Sequence, residues 1–395
     1  MGIRLDGTTD TISAPGSDLN LGQSGDSVKV ASEVRLPTAG PLSNRNLFVN
    51  GGARIAQRGT SETGVTGSAY QTVDQFKTSI SALGTWTVTQ STDAPPGFTH
   101  SFKMDCTTAD TSPSSGAVAA LDTFVEAQDL QVLEYGSSSA VAATLSFYVK
   151  SNKTGSGTVS ILQPDNSERC LNVSYTISSA NTWERKTISL PADASGVIND
   201  DNGRGLGMEF WLHSGSTYTG GSAQNTWGSL TQSNRNFANL GVGGSTADYW
   251  MITGVQLEVG SQATPFEHRT YADDLARCQR YFRVFGTGAQ FIRGATGTVY
   301  SSAPLQSFYP ISPDMRTTPT ASNAAGGTTL TCQGYDQNYT SSPGTREYVA
   351  TFYNTGQGTM VLGVNYNQSN NGGSNLPTSV KFVQLNDTIH LSAEL

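Results

Sequence analysis

Charged residues, cysteines and long apolar runs are all scarce in this chain, and each scarcity excludes a class of protein. Asp, Glu, Lys and Arg make up only 14% of the 395 residues, against a usual share of about 25%. The net charge is −8 and no Lys/Arg cluster is present, so binding to a nucleic-acid backbone has little electrostatic support. Residues 1–30 lack a secretory pattern, and no run of about 18 apolar residues occurs. We therefore expect no membrane insertion, no signal peptide and synthesis in the cytoplasm.

The four cysteines are far apart in the sequence and form no Cys-x-x-Cys motif. This spacing argues against a zinc site and against a small disulfide scaffold. We expect reduced thiols that pack as small hydrophobic side chains. They are Cys106, Cys170, Cys278 and Cys332.

Glycine, with 43 residues, exceeds its usual share of about 7%, which indicates turn-rich β structure. Short runs with an apolar residue at every second position recur, for example Leu145, Phe147 and Val149. That period is typical of antiparallel strands with one buried face. The sequence therefore predicts an all-β protein with a β-sandwich over residues 46–270 and a second, C-terminal β-sandwich over residues 285–395. Four tryptophans lie in strand patterns and are expected to be buried: Trp86, Trp183, Trp211 and Trp250.

Residues 255–259 close the first predicted sandwich. Val255, Leu257 and Val259 alternate with Gln256 and Glu258, which predicts a strand with one buried face and one face in water.

A short linking helix is predicted over residues 271–284. Thr270 and Asp273 form a capping-box signature at its start, and an ion pair from Asp273 to Arg277 is expected along it. The residues expected on its buried stripe are Tyr271, Leu275, Cys278 and Phe282.

Residues 1–45 contain β-like pieces separated by Asp-Gly, Pro-Gly and Ser-Gly turns. Each piece is too short to bury a face alone. We expect an extended β segment that anchors the chain on a partner, either another copy of itself or a larger assembly; the alternative is a disordered arm.

Nine short motifs occur in a characteristic order, at residues 46–52, 56–60, 70–76, 182–187, 191–196, 201–206, 255–260, 264–267 and 275–282. In this order they resemble bacteriophage, cyanophage-like, tail-fibre and related virion proteins. Gln75 departs from the resemblance, since many relatives have a basic residue there.

The resemblance implies a jelly roll similar to carbohydrate-binding modules over residues 46–270, and attachment through residues 1–45 to a phage tail or adaptor protein. It also implies a homotrimer in the virion, a tail fibre or spike that adsorbs to host surface polysaccharide. Two alternatives stay open: a structural tail-collar or head-decoration protein without glycan binding, and a tailspike glycanase.

Catalysis is not expected. Gly25-Asp26-Ser27 matches half of a lipase-type nucleophile motif, but Lys29 replaces the second glycine and no buried strand precedes it. A glycanase would need two carboxyl groups about 5 to 9.5 Å apart. The candidates are Asp200, Asp201, Glu209 and Asp248.

Binding residues can be proposed from side-chain type and from loop position. Asp200 and Asp201 sit in a Gly-containing turn and are candidate ligands for a structural calcium. Trp227 and Tyr218 lie in a polar loop, where an aromatic ring can serve as a platform for a sugar. Tyrosines near asparagines in the C-terminal block are candidate receptor contacts: Tyr335, Tyr339, Tyr353 and Tyr366.

Overall fold

The computed structural model describes ten ranges of the chain. They are residues 44–165, 168–285, 290–292, 305–310, 313–323, 330–336, 347–354, 359–366, 380–385 and 388–395. Side chains are described at 44–165, 168–285, 313–322 and 388–395. All ten ranges belong to one compact unit of the chain. The predicted attachment segment, apart from its last two residues, lies outside the described ranges.

The first β-sandwich consists of thirteen strands in chain order. They are β1 (Ser61–Val65), β2 (Ala69–Tyr70), β3 (Lys77–Ser81), β4 (Thr85–Ser91), β5 (Ser101–Thr108), β6 (Val118–Glu126), β7 (Ala143–Ser151), β8 (Gly155–Gln163), β9 (Arg169–Ile177), β10 (Glu184–Leu190), β11 (Arg204–Ser214), β12 (Gln224–Ser229) and β13 (Tyr249–Val259). Sheet I has the order β1-β4-β5-β13-β7-β10, and sheet II has the order β12-β9-β8-β11-β6-β3-β2. All of their strand pairs are antiparallel.

Alternate residues of both sheets form one hydrophobic core. Phe147 of sheet I meets Phe210 of sheet II edge-on, with ring centroids 5.1 Å apart, and Trp86 and Trp250 are fully buried. Burying one such side chain contributes about 1.5–3 kcal/mol. The predicted all-β sandwich is confirmed.

Three short helices accompany these strands. Two are 3-10 helices at Ala127–Leu133 and Gln232–Asn234, and the third is α1 (Tyr271–Cys278). As predicted, the Thr270 hydroxyl caps α1, accepting from the backbone N–H of Asp273 at 3.2 Å.

The predicted buried stripe is correct at Cys278 and wrong at Tyr271. The buried residues of α1 are Asp274 and Cys278, while Tyr271 is 54% exposed. Phe282 is buried but lies in the next strand, because the helix ends at Cys278. Arg277 donates to the side chain of Asn44, and no ion pair with Asp273 occurs in the described structure.

The predicted wet face of β13 was also wrong. Gln256 and Glu258 are buried because the segment after the strand folds back over them. Thr264 donates its backbone N–H (2.9 Å) and its hydroxyl (2.6 Å) to the Glu258 carboxylate, and Glu267 N–H donates to Gln256 Oε1 at 2.8 Å. Buried polar groups are tolerated when they are hydrogen-bonded in this way.

Residues 46–52 lie along β13, which explains their composition. The Asn46 side chain donates to Val255 O at 3.0 Å and accepts from Leu257 N–H at 3.1 Å. A Cβ at Gly51 would lie 2.0 Å from Val255 O. Only glycine permits this approach.

Nine further strands follow α1. They are β14 (Phe282–Phe285), β15 (Gln290–Ile292), β16 (Leu305–Pro310), β17 (Thr320–Asn323), β18 (Leu330–Asp336), β19 (Glu347–Asn354), β20 (Thr359–Tyr366), β21 (Val380–Leu385) and β22 (Ile389–Ser392). They form sheet III (β14-β22-β17) and sheet IV (β15-β21-β18-β19-β20-β16), both antiparallel. The predicted domain boundaries stay predictions.

A charge cluster joins the end of the chain to the first sandwich. Arg58 pairs with Asp74 at 3.5 Å and with Glu394 at 2.7 Å. Its guanidinium also lies 3.4 Å from the ring centroid of Phe282, and the Tyr70 hydroxyl donates to Leu395 O at 3.1 Å. One cation therefore serves two buried carboxylates.

No helix in the described part of the chain is both long and apolar enough to span a membrane.

Candidate functional site

The outer face of sheet I presents half-exposed aromatic side chains. Trp250 and Ile252 of β13 point into the core, so Tyr249 faces outward, and Tyr148 does so from the neighbouring β7, whose Phe147 and Val149 are core residues. Trp183 directly precedes the edge strand β10 and is half-exposed. The predicted burial of Trp183 was therefore wrong, because the residue lies just before the strand rather than at an inward position within it.

Asp93 lies in the loop between β4 and β5 and accepts hydrogen bonds from two side chains of this surface. The Trp183 indole donates from Nε1 to Asp93 Oδ1 at 2.9 Å, and Lys150 Nζ donates to Asp93 Oδ2 at 2.6 Å. Desolvation alone would raise the pKa of Asp93, but the hydrogen bonds from Lys150 and Trp183 outweigh it and lower the pKa. Asp93 thus fixes the orientation of the indole ring.

Tyr249 is held in a similar way. Its hydroxyl donates to Asn181 Oδ1 at 2.6 Å, and Lys103 lies 5.2 Å from its ring centroid while pairing with Asp105 at 2.7 Å. Desolvation raises the pKa of the Tyr249 phenol, and the positive charge of Lys150 opposes this shift.

We call the set Asp93, Lys103, Tyr148, Lys150, Asn181, Trp183 and Tyr249 the aromatic face. Its rings are half-exposed and are surrounded by side chains that both donate and accept hydrogen bonds. Lys150 pairs with Asp93 and Lys103 pairs with Asp105, so its charges balance. This surface suits a neutral, hydroxyl-rich ligand with an apolar ring face.

Phe98 extends the aromatic face beyond Tyr148. Their ring centroids are 5.4 Å apart, and Phe98 also contacts Phe266 at 4.9 Å. Gly254 permits this packing, because it has a φ of +63° and a Cβ there would lie 2.7 Å from Phe98 Cζ.

Tyr218 and Glu209, both singled out in the sequence, lie on the outer face of sheet II. Arg235 donates to both Glu209 carboxylate oxygens, with Nε to Oε2 at 3.1 Å. Its guanidinium lies 5.1 Å from the ring centroid of Trp211 and 5.4 Å from that of Tyr218. Both predicted residues are therefore engaged in an internal stack.

Asp122 is a charged neighbour of Glu209 that the sequence analysis missed. The two residues are directly paired across β6 and β11. Burial, followed by the charge of Glu209, raises the pKa of Asp122 to about 7. The two residues are far apart in the sequence, so no local motif predicts that the strand register pairs them.

Trp227 lies in β12 and is half-buried. Its Nε1 donates to Pro191 O at 2.8 Å, and its ring meets Tyr135 edge-on at 5.8 Å. Trp227 and Tyr218 thus have different neighbours, and a sugar platform at either residue stays a prediction.

Two of the remaining carboxylates, those of Asp201 and Asp248, accept hydrogen bonds from nearby backbone groups. Asp201 accepts from Gly203 N–H at 2.7 Å in an exposed turn that also contains Asp200. Asp248 is buried and accepts from Gly243 N–H at 2.9 Å. No group of three or more His, Cys, Asp or Glu side chains that could hold a metal occurs among the described residues, and calcium at Asp200 and Asp201 stays a prediction.

Three of the C-terminal tyrosines lie at or next to strand ends: Tyr335 in β18, Tyr353 in β19 and Tyr366 in β20. Their side chains lie outside the described residues, as do Tyr339 and Ser27, and receptor contact through these tyrosines stays a prediction. Three cysteines, Cys106, Cys170 and Cys278, are buried free thiols as predicted.

Comparison with known proteins gives distant structural matches. No protein-family profile matches this sequence, and no curated protein matches it. The enzymatically active domain of bacteriophage CBA120 tailspike protein 4 is 13% identical, with a TM-score of 0.29, over 54% of this chain and 21% of its own. A carbohydrate-binding module in complex with β-1,4-galactotriose is 10% identical, with a TM-score of 0.28, over 55% of this chain and 100% of its own. The N-terminal cellulose-binding domain of Cellulomonas fimi β-1,4-glucanase C is 13% identical, with a TM-score of 0.23, over 46% of this chain and 90% of its own.

Proposed function

We propose that this chain is a bacteriophage virion component, a tail fibre or spike that binds a polysaccharide on the host surface. The aromatic face carries the proposal. Trp183 and Tyr249 present ring surface to water on a rigid sheet, and Asp93 and Asn181 hold these rings through hydrogen bonds.

The chemistry of the aromatic face favours a neutral polysaccharide. A sugar ring can lie with its apolar side on an aromatic ring while its hydroxyl groups exchange hydrogen bonds with neighbouring side chains. Lys103, Lys150, Asp93 and Asp105 neutralise one another, so a polyanion gains no net attraction.

The phage part of the proposal rests on the sequence motifs. In this proposal residues 1–45 attach the chain to a tail or adaptor protein, and the virion carries it as a homotrimer. Several copies on one particle convert weak contacts with a repeating polysaccharide into firm adsorption.

The proposed role is binding without bond cleavage. Asp201 and Asp248 accept backbone hydrogen bonds within turns, and Glu209 is paired with Arg235. Each of these carboxylates already has a structural partner, which supports the proposal that none serves in hydrolysis.

The test is affinity electrophoresis through gels that contain purified bacterial capsular polysaccharides. At least one polysaccharide should retard the full chain, and Trp183→Ala should abolish most of the retardation because it removes the half-exposed indole that Asp93 orients. Val132→Ala, which truncates an exposed apolar side chain, is the matched control. Trp227→Ala tests the rival platform.

Other outcomes select the alternatives. If no polysaccharide retards the chain, a structural collar or head-decoration role replaces the proposal. A polymer that becomes shorter during incubation would indicate a glycanase. Loss of retardation in Trp227→Ala alone would move the site to the loop around β12.

A further inference from the structure

A small pocket lies where the segment after β13 meets the loop between β4 and β5. Its volume is about 100 Å³. The rings of Phe98, Phe266 and His268 contact one another in its wall, with centroids 4.9 to 5.3 Å apart. Gly52, Arg54 and Asp274 also line it. Part of the pocket thus comes from the segment around Phe266 and from α1, neither of which belongs to the aromatic face.

Asp274 is the unusual group in this pocket. It is only 7% exposed, yet its carboxylate accepts no hydrogen bond within the described part of the chain. Desolvation raises its pKa, and the charges of Arg269 and Arg54 oppose the shift. Its oxygens are accessible from the pocket, so a ligand that supplies hydrogen-bond donors can reach them.

Arg54 supplies the complementary group. Its Nη1 donates to Arg269 O at 3.1 Å, and no other side-chain hydrogen bond from Arg54 occurs in the described structure. A guanidinium has five N–H donors in all. Acceptor and donor groups therefore stand beside an aromatic wall.

The pocket is continuous with the aromatic face. Phe98 lines the pocket and packs against Tyr148 at 5.4 Å. A polysaccharide lying on the aromatic face can thus reach the pocket with an end unit or a side branch.

We infer that this pocket binds one neutral monosaccharide unit, whose hydroxyl groups donate to Asp274 and accept from Arg54 while its apolar side lies on Phe266. This inference rests on the proposed polysaccharide binding and adds a second subsite to it.

The test is saturation-transfer NMR of the full chain with glucose, galactose, mannose and rhamnose. Gly52→Val places methyl groups in the pocket. A Cβ at Gly52 would make ordinary contacts of 3.7 Å with Arg54 and 3.8 Å with Phe266, so the backbone tolerates a side chain. Gly116→Val is the matched control, since a Cβ at Gly116 meets nothing within 4 Å.

We expect one of these sugars to bind the native chain and Gly116→Val but not Gly52→Val. Asp274→Asn keeps the shape of the side chain and should weaken binding by about tenfold, as expected when charge-assisted hydrogen bonds are lost. It also provides a second measurement should Gly52→Val fail to fold. The inference is overturned if no sugar in the panel binds, or if the variants bind as the native chain does.

Trp183→Ala separates this inference from the proposed function. It should lose polysaccharide retardation while retaining monosaccharide binding in the pocket. If native retardation is intact but Gly52→Val and Asp274→Asn bind sugar normally, the pocket is refuted and the function stands. If no polysaccharide is retarded, the function itself fails.

Discussion

Replacing Asp74 with asparagine should make the protein more resistant to alkaline pH. Asp74 is fully buried and shares Arg58 with Glu394, although Gln57 also donates to it from Nε2 at 2.6 Å. Desolvation raises the pKa of Asp74 to about 7, against the opposing effects of Arg58 and Gln57. The carboxyl is therefore more easily protonated in the folded state than in the unfolded state.

The sign follows from proton linkage. Because the pKa of Asp74 is higher in the folded state than in the unfolded state, the folded state binds its proton more tightly. The stability from protonated Asp74 is fully present below the unfolded pKa and is lost as the pH rises through about 7. Each pKa unit corresponds to about 1.4 kcal/mol. Ionisation of Asp74 should therefore cost native stability about 3 kcal/mol more at about pH 8 than at about pH 5.

The assay is urea unfolding of the native chain and Asp74→Asn at both pH values. The free-energy difference between them should shift by about 3 kcal/mol in favour of the variant as pH rises. Asp93→Asn is the control without a shift, because the pKa of Asp93 is lowered from its usual value of 3.8, so this carboxyl is ionised at both pH values and its difference from the native chain should stay constant. A difference between native and Asp74→Asn that stays constant with pH would refute the reasoning that burial raises the pKa of Asp74.

Three further predictions concern packing and charge. Arg235→Ala leaves Glu209 buried without its cation and should lower the free energy of unfolding, measured in urea, by about 3–5 kcal/mol. The double variant Arg235→Met with Glu209→Gln should recover part of this loss. If the single and double variants lose equal stability, the pairing of Arg235 with Glu209 is contradicted. Gly51→Ala should lower stability by about 1–3 kcal/mol, since its Cβ would meet Val255 O at 2.0 Å, whereas Gly67→Ala, with open space around its Cβ, should be nearly neutral. Cys278 is buried and desolvation raises the pKa of its thiol well above the usual value, so iodoacetamide should modify it only on unfolding, and rapid native modification would contradict this burial.

The sequence predicts local structure well where one pattern dominates. The cap at Thr270 and the strand at residues 255–259 were both readable from the chain and both are present. The all-β sandwich followed from the repeated alternation of apolar residues.

The sequence does not predict which distant segments cover a strand. Gln256 and Glu258 have the pattern of a solvent face, but the turn around Thr264 buries them and satisfies their hydrogen bonds. The alternation of apolar and polar residues therefore predicts the strand correctly but predicts the exposure of Gln256 and Glu258 incorrectly.

The candidate site could be predicted from the sequence even less well than the burial of β13. Asp93 reaches Lys150 across 57 residues and Trp183 across 90 residues, so no local motif joins them. The sequence places Trp227 in a polar loop, but this residue lies in β12 and its indole donates to Pro191 O. Aromatic residues acquire a role only when the sheets place polar groups beside them.

The most direct test of polysaccharide binding is a two-dimensional ¹H–¹⁵N spectrum of the tryptophan side chains during titration with a retarding polysaccharide fragment. The five tryptophans include Trp86 and Trp250, whose indoles donate to Leu83 O and to the Tyr175 hydroxyl in the core. The account predicts that the indole signal of Trp183 shifts with increasing ligand while those of Trp86 and Trp250 stay in place. A saturable shift at Trp227 or Trp211 with Trp183 unchanged would contradict it.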